Sequence, residues 1–459
     1  MTHHPRHTII PPYLLRHLAE TADAPVATRA EHTLRADQGF RAERAGAHRA
    51  TATARPKVLA GEAAPDREIS TAKNAERLPG TVVRREGEGA TGDLAADEAY
   101  DGFGATWTLF HDVYGRDSID GAGLQLAGTV HFGKGYDNAF WNGERMVFGD
   151  GDGEIFGRFT ASLEVIGHEL THGVTERTAA LVYQGQPGAL NEHISDVFGV
   201  LVKQHQLGQS ADAADWLIGA ELLLPGVQGV AIRSMIAPGT AYDDPRLGKD
   251  PQPDHMDRFV TTTDDNGGVH INSGIPNRAF ALAAKAIGGP AWTGVGQVWF
   301  DVLTGGSLGA RADFAAFARL TEAAASVRFG DGSREHNAVH QGWTSVGVAT
   351  GVPTNVAEPS QAASSAPADA ELLLRRTGGV TGVVKERRTA LHELPTKDAK
   401  KWNKLLTSER LRALGDDDPV RDGFCYRVAC EALSVDVTVA EQRLTEAQRN
   451  LFQRTLAAD

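Results

Sequence analysis

Between Leu163 and Glu176 the apolar residues Leu163, Ile166, Leu170 and Val174 recur every three or four positions, the period of one face of an α-helix. Helical patterning runs from Thr160 to about Val348, in stretches such as NEHISDVFGVLVKQHQ and NRAFALAAKAIGG. Upstream, the chain is dense in Gly, Asp and aromatic residues, as in MVFGDGDGEIFG, and this punctuation predicts short strands and turns. A β-rich stretch (67–165) followed by an α-rich one (166–350) predicts an α+β fold of two lobes, with the 163–176 helix at their junction.

Residues 351–370, GVPTNVAEPSQAASSAPADA, hold three prolines and almost no large apolar side chain, which predicts a flexible linker. A separate small α/β domain follows at 371–459 with a βαβα pattern. ELLLRRTGGVTGVV predicts a hairpin, LPTKDAKKWNKLLTSERLRAL a helix starting at Thr396, LSVDVTV a half-buried strand and TEAQRNLFQRTL a closing helix. The only two cysteines, Cys425 and Cys430, lie five residues apart in a strand-like segment, where they face opposite sides and do not easily bridge. At the other end, residues 1–55 are rich in Arg and Ala and hold six of the 17 histidines, a composition that predicts a mobile leader.

With 459 residues and 41% apolar composition, the chain can bury more than one core. A net charge of −13 without any basic block argues against nucleic acid as a partner. No apolar run reaches the roughly 18 residues of a membrane span. MTHHPRHTIIPPYLLRHLAE lacks the apolar core of a signal peptide, so the expectation is a chain cytoplasmic at synthesis and secreted, if at all, by a non-classical route.

The 163–176 segment also carries chemistry. Four residues of helix advance the chain by about 400°, so His168 and His172 project from one face, a turn apart. Glu169 then stands beside the open side of a shared metal ion, the place of a general base for an activated water. Chance produces such a motif in a histidine-rich chain with a probability of roughly a few per cent, so further ligands decide the reading. Twenty residues after His172, Glu192 in GALNEHISD would complete a two-His, one-Glu set. Asn191 and Asp196, beside it, suit the free ring nitrogens of the histidines.

The runs LPGTVVRREG, ATGDLAADEAYDGFGATW, YDNAFWNGERMVFGDGDG, VIGHELTHGVTE, GALNEHISD and DNGGVHINSGIPN occur in that order between Leu78 and Asn277, within a stretch of about residues 77–348. On these runs the chain resembles the thermolysin-family metallopeptidases, the gluzincins, and most closely their protealysin-like branch. The resemblance implies a β-rich and an α-helical lobe flanking a cleft, with one catalytic Zn2+ on His168, His172 and Glu192. Glu169 would pass a proton from the attacking water to the leaving amine. His270 and Tyr183 would donate to the oxyanion, with Asp265 holding His270 charged and oriented. Arg233 would hold a substrate carbonyl, Asn138 and Ala139 would pair with substrate backbone, and Phe156, Phe159, Val165, Ile218 and Ile232 would wall an apolar S1′ pocket. Cleavage before a large apolar residue follows. Where the family has a double calcium site, this chain has Lys203, Leu217 and Ala220, leaving Glu164 and Asp215, so the calcium double site is expected to be absent.

Near the start, IIPPYLL resembles the protealysin-type propeptide motif. Pro11 and Pro12 are expected to stiffen an extended segment whose Tyr13, Leu14 and Leu15 dock on an apolar cleft until the leader is cut off between about residues 50 and 66. The C-terminal domain resembles emfourin, a protein inhibitor of protealysin-like enzymes. A linker of some 20 residues reaches about 25 Å and supplies an effective concentration near millimolar. The sequence therefore reads as a zinc-dependent neutral endopeptidase made as a precursor, acting on peptides and proteins, with its own propeptide and C-terminal domain as intramolecular inhibitors. The competing reading, a catalytically silent peptidase-fold scaffold, is disfavoured by intact Glu169, His270 and Tyr183.

Overall fold

Apolar residues of the first lobe are threaded onto a six-stranded sheet. Its elements are β1 (His7–Thr8), β2 (Arg67–Thr71), β3 (Thr81–Arg85), β4 (Leu126–Val130), β5 (Ala139–Trp141) and β6 (Met146–Phe148), in the order β1-β5-β6-β4-β2-β3. β4 runs parallel to β2 and β6, while the other neighbours are antiparallel. The computed structural model describes residues 7–47, 63–349, 370–378, 385–406, 424–430, 435–441, 444 and 446–457. The chain divides into two compact units, Met1–Val352 and Pro353–Asp459. Apart from Ala370 the expected linker lies outside the described residues, as does most of the stretch expected to hold the leader's cut.

Two expectations are corrected here. The leader is not a mobile tail over its described part: it contains helices α1 (Pro12–Thr21) and α2 (Ala24–Ala47). Pro12 is the first helical residue, where the fixed φ of proline suits a helix start and its missing N–H costs nothing. Tyr13, Leu14 and Leu15 are thus helical, with Leu14, Leu15 and Leu18 buried, and the extended part is the stretch up to and including Pro11. Secondly, the β-rich block, read as short strands and turns, also contains helix α3 (Leu94–Thr108). Gly102 and Gly104 look like turn punctuation, yet Ala95, Ala99, Phe103 and Trp107 recur at helical spacing and are buried. Asp93 caps this helix by accepting from the amides of Ala95 and Ala96.

His131, just past β4, joins this cap to the loop after β6. Its Nδ1 lies 2.8 Å from Asp150 and its Nε2 2.8 Å from Asp93. Burial alone lowers the pKa of this ring, but the hydrogen bonds it donates to Asp150 and Asp93 outweigh that and raise the value. A raised folded pKa means stability present below the ordinary histidine range, about 6.5, and lost as pH rises through the folded value. The Tm gap between the wild type and His131→Gln is therefore expected to be wider at pH 6 than at pH 9.

The second lobe holds α4 (Leu163–Glu176), α5 (Gly185–Leu207), short strands β7 (Leu217–Ile218), β8 (Arg233–Ser234), β9 (Asp243–Asp244) and β10 (Gly248–Lys249), then α6 (Asp265–Asn272), α7 (Gly274–Ile287), α8 (Val295–Thr304), α9 (Phe314–Phe329) and α10 (Arg334–Ser345). Helices α4 and α5 touch backbone to backbone, because a Cβ on Gly199 would come 2.4 Å from the Glu164 carbonyl. That closeness lets side chains of α5 reach the histidines of α4.

In the second unit, β11 (Glu371–Gly378), β12 (Lys385–Ala390), β13 (Phe424–Cys430) and β14 (Val435–Ala440) form an antiparallel sheet in the order β12-β11-β13-β14, with helices α11 (Thr396–Leu406) and α12 (Glu446–Ala457). The order is ββαββα: β11 and β12 pair antiparallel as a hairpin would, and β13 is the strand-like segment that carries the two cysteines. Its core stacks Trp402 on Phe452 at 4.9 Å, over Leu372, Leu374, Tyr426 and Val439. Cys425 and Cys430 are buried and unbridged.

Candidate active site

His168, Glu169, His172 and Glu192 are all fully buried. The Nε2 atoms of the two histidines lie 3.0 Å apart. His168 Nδ1 is 2.8 Å from Asp196 Oδ1, and His172 Nδ1 is 2.8 Å from Asn191 Oδ1. Acceptors at both Nδ1 atoms put the ring protons there, so two Nε2 lone pairs face each other, an arrangement repulsive without a cation between them. Glu192 approaches both Nε2 atoms at 3.5 Å, and its Oε2 is buried without a hydrogen-bond partner. This donor set of two imidazoles and a carboxylate fits a zinc ion.

Glu169 also lies within reach of the histidines: His168, Glu169 and His172 bring ligand atoms within 4.8 Å of one another. Two carboxylates thus border the same point. One oxygen of Glu169 is engaged, since Trp141 N–H donates to Oε2 at 3.0 Å, while Oε1 is buried and unpartnered. Burial first, and the charge of Glu192 second, push the Glu169 carboxyl well above the usual carboxylate range.

Asp196 ties this cluster to Arg233. Besides His168, it accepts from Arg233 Nε at 3.0 Å and Nη2 at 2.8 Å, and from Asn277 Nδ2 at 2.8 Å. Burial opposes its charge, but the Arg233 guanidinium and the His168 hydrogen bond hold it well below the usual range.

His270 and Asp265 come from α6, which opens on a left-handed turn: φ is 51° at Asp265 and 50° at Asn266, then 82° and 76° at Gly267 and Gly268. This turn folds Asp265 back so that Oδ2 accepts from His270 N–H at 2.8 Å and Oδ1 lies 2.6 Å from His270 Nδ1. Burial would lower the His270 pKa, yet Glu192 and Asp265 raise it. The Tyr183 hydroxyl donates to Glu192 Oε1 and lies 3.3 Å from His270 Nε2.

The leader's extended residues run through this site on the edge of β5. Thr8 stands opposite Phe140, and Ile9 N–H donates to the Ala139 carbonyl at 3.2 Å. Asn138 holds Ile10 twice, accepting from its N–H at 2.9 Å and donating to its carbonyl at 3.2 Å. His270 Nε2 lies 3.1 Å from the Thr8 carbonyl, and Arg233 Nη1 donates to the Ile9 carbonyl at 3.2 Å. Ile9 is fully buried and joins the core that contains Phe156, Phe159, Val165, Ile218 and Ile232. These contacts bring His168, Glu169, His172, Asn191, Glu192, Asp196, Tyr183, Arg233, Asp265, His270, Asn138 and Ala139 together, whereas Phe156, Phe159, Val165, Ile218 and Ile232 are placed only as buried members of the large core. Four contributors were not singled out: the Trp141 amide on Glu169, Ser195 Oγ 3.0 Å from His172 Nδ1, Asn277 on Asp196, and Gln252, which donates to the His270 carbonyl at 2.7 Å.

Beside α4, the Lys203 ammonium sits 3.2 Å from Asp215, 3.2 Å from Glu221 and 3.6 Å from Glu164. Burial, with Glu221 adding, raises the Glu164 carboxyl to about 7 against the pull of Lys203. Lys203→Met is expected to destabilise the fold by about 3 kcal/mol at pH 8, since it strands a buried carboxylate. The loss should shrink at pH 5, where Glu164 is neutral, as thermal unfolding at the two pH values will read.

A two-lobed fold with a buried His-Glu-His cluster at the lobe junction defines a metallopeptidase. Residues 60–176 match the catalytic domain of thermolysin metallopeptidases and residues 179–348 their alpha-helical domain, so the chain belongs to the thermolysin family, which is zinc-dependent. Residues 374–456 match emfourin. The chain is 50% identical over 341 residues to the extracellular metalloprotease of Pectobacterium carotovorum subsp. carotovorum, covering 74% of this chain and 96% of that protein. It is 40% identical over 266 residues to thermolysin of Alicyclobacillus acidocaldarius subsp. acidocaldarius, 56% of this chain and 46% of that one. The structure of the precursor of protealysin, a metalloproteinase from Serratia proteamaculans, matches with a TM-score of 0.68 and 51% identity, over 75% of this chain and all of that one. The enzyme is a protealysin-like metalloendopeptidase. Among the described residues no helix is long and apolar enough to cross a membrane.

Proposed function

We propose that this enzyme hydrolyses peptide bonds on the N-terminal side of large apolar residues and is restrained by its own leader. The observation that carries the reading is the path of the leader. The Thr8 carbonyl meets His270, the Ile9 carbonyl meets Arg233, Asn138 clasps Ile10, and Ile9 is buried in the same large apolar core that holds Phe156. A substrate on the same edge would present the bond between the residues at the Thr8 and Ile9 positions, held by sequence-blind strand addition.

His168, His172 and Glu192 would hold the zinc ion, with Asp196 and Asn191 orienting the rings; when bound, the ion supplies a Lewis acid at its open position. Glu169 takes up a proton at Oε1 and releases it to the leaving amine. His270, kept charged by Asp265, and Tyr183, turned away from Glu192, donate to the oxyanion, each contributing on the order of 3 kcal/mol. Phe156, Phe159, Val165, Ile218 and Ile232 select a large apolar side chain. Lys203 supplies the positive charge at the acidic cluster, so millimolar calcium leaves Tm unchanged.

The emfourin domain acts as a second intramolecular restraint, and the enzyme works outside the cell, a reading supported by relatives named as extracellular. The test is cleavage of an internally quenched peptide with Leu after the scissile bond, comparing the zinc-loaded full chain with one ending at Gly351. Truncation is expected to raise the rate several-fold. Equal rates would remove the restraint by the C-terminal domain and leave the endopeptidase reading standing.

A further inference from the structure

Under α2 of the leader, two buried carboxylates each have an oxygen without a hydrogen-bond partner, Asp137 Oδ1 and Asp152 Oδ2. Asp137 is 3% exposed, and the Asp152 side chain 1%. Glu154 stands at their rim. Helix α2 places Arg29 into this acidic notch, its Nη2 3.9 Å from Asp152 Oδ2 and 3.8 Å from Glu154 Oε2. The arginine stem lies over Gly135, where even a Cβ would come 3.1 Å from Arg29 Cδ. Arg29 matches the notch in charge but closes no hydrogen bond with it, and its Nε is itself buried and unpartnered. The only other cation at the rim among the described residues is Arg246, 4.0 Å from Glu154 Oε1. Burial and Asp152 push the Asp137 carboxyl up to about 7 against Arg29, so the notch carries its full negative charge only with a cation beside it.

Position gives the notch a use. Asp137 directly precedes Asn138, the residue that clasps Ile10, and Thr8 stands opposite Phe140. A chain extended one residue past the Ile10 position comes opposite Asp137. Asp152 is held rigidly, since its Oδ1 accepts from the amides of Glu154, Ile155 and Phe156. The same loop thus carries Asp152 and Phe156, so the acidic notch and the apolar pocket share one support.

We propose that, once the leader has left, this notch is a specificity subsite for a basic side chain, Arg or Lys, two residues downstream of the residue in the apolar pocket. The inference rests on the endopeptidase reading above. Arg29 is then the leader's occupant of a place meant for substrate, and a guanidinium carried on an extended chain can close the hydrogen bonds that Arg29 leaves open.

The experiment uses the zinc-loaded full-length enzyme and three quenched peptides with Leu after the scissile bond, identical except for Arg, Gln or Glu two residues beyond that Leu. Any leader still bound lowers all three rates alike, so ratios of kcat/KM are read. Arg is expected to exceed Glu by roughly tenfold or more, with Gln between them. Asp137→Asn and Glu154→Gln should each narrow the Arg-to-Glu ratio, chiefly through KM. An enzyme that cuts all three peptides before Leu with ratios near one overturns the subsite alone, as does a strong preference that both variants leave unchanged. If none of the peptides is cut even after the leader has been cleaved from the chain, the endopeptidase reading fails and the subsite with it.

Discussion

Glu169→Gln is expected to lower peptide hydrolysis by roughly 10³-fold or more while leaving zinc content and Tm close to the wild type. The side chain is fully buried, and Oε2 accepts from the Trp141 amide, a contact that the carbonyl oxygen of glutamine can keep. What glutamine cannot do is take a proton at the other oxygen. Loss of activity with retained zinc, read by metal analysis beside the assay, separates a proton-transfer role from a ligand role. Loss of the zinc as well would put Glu169 among the ligands, a possibility its closeness to His168 and His172 makes worth measuring.

Asp196→Ala is expected to be the most damaging change to the fold around the site. Four donors converge on that carboxylate: His168 Nδ1, Arg233 Nε and Nη2, and Asn277 Nδ2. Removing it strands a fully buried guanidinium, which costs about 3–5 kcal/mol in comparable buried pairs. It also frees the His168 ring, and loss of such an orienting partner weakens metal affinity by about 10–100-fold. Asp196→Asn keeps the shape but not the charge, so it should recover part of the packing and little of the support for Arg233. Thermal unfolding with and without zinc, together with zinc dissociation rates, checks both parts.

The metal cluster was legible because its information is local. His168 and His172 are a helical turn apart in sequence and in space, and the GALNEHISD run marks Glu192. Why Glu192 meets the histidines was not legible, since that depends on α4 and α5 touching at Gly199, a tertiary contact with no sequence signature of its own. The leader was misread for a related reason. Two adjacent prolines suggest an extended segment, but Pro12 starts a helix, and the extended residues in the cleft are Thr8 to Ile10, whose order comes from pairing with a distant strand. Helix α3 was hidden by its glycines, although its buried apolar residues keep helical spacing. The Trp141 amide could not be read at all, because a backbone N–H is common to nearly every residue and only the fold aims it at Glu169.

The central claim is that a zinc-loaded form of this chain cuts inside a peptide before a large apolar residue. Its most direct test is mass analysis of products from an N-terminally blocked peptide containing a single Leu, incubated with the full chain as prepared, after chelation and after zinc is restored. The account predicts one cut, on the N-terminal side of Leu, abolished by chelation and recovered with zinc. No cut above the chelated sample even after the leader has been cleaved and the chain ended at Gly351, or release of residues only from the free N-terminus of an unblocked peptide, would contradict it.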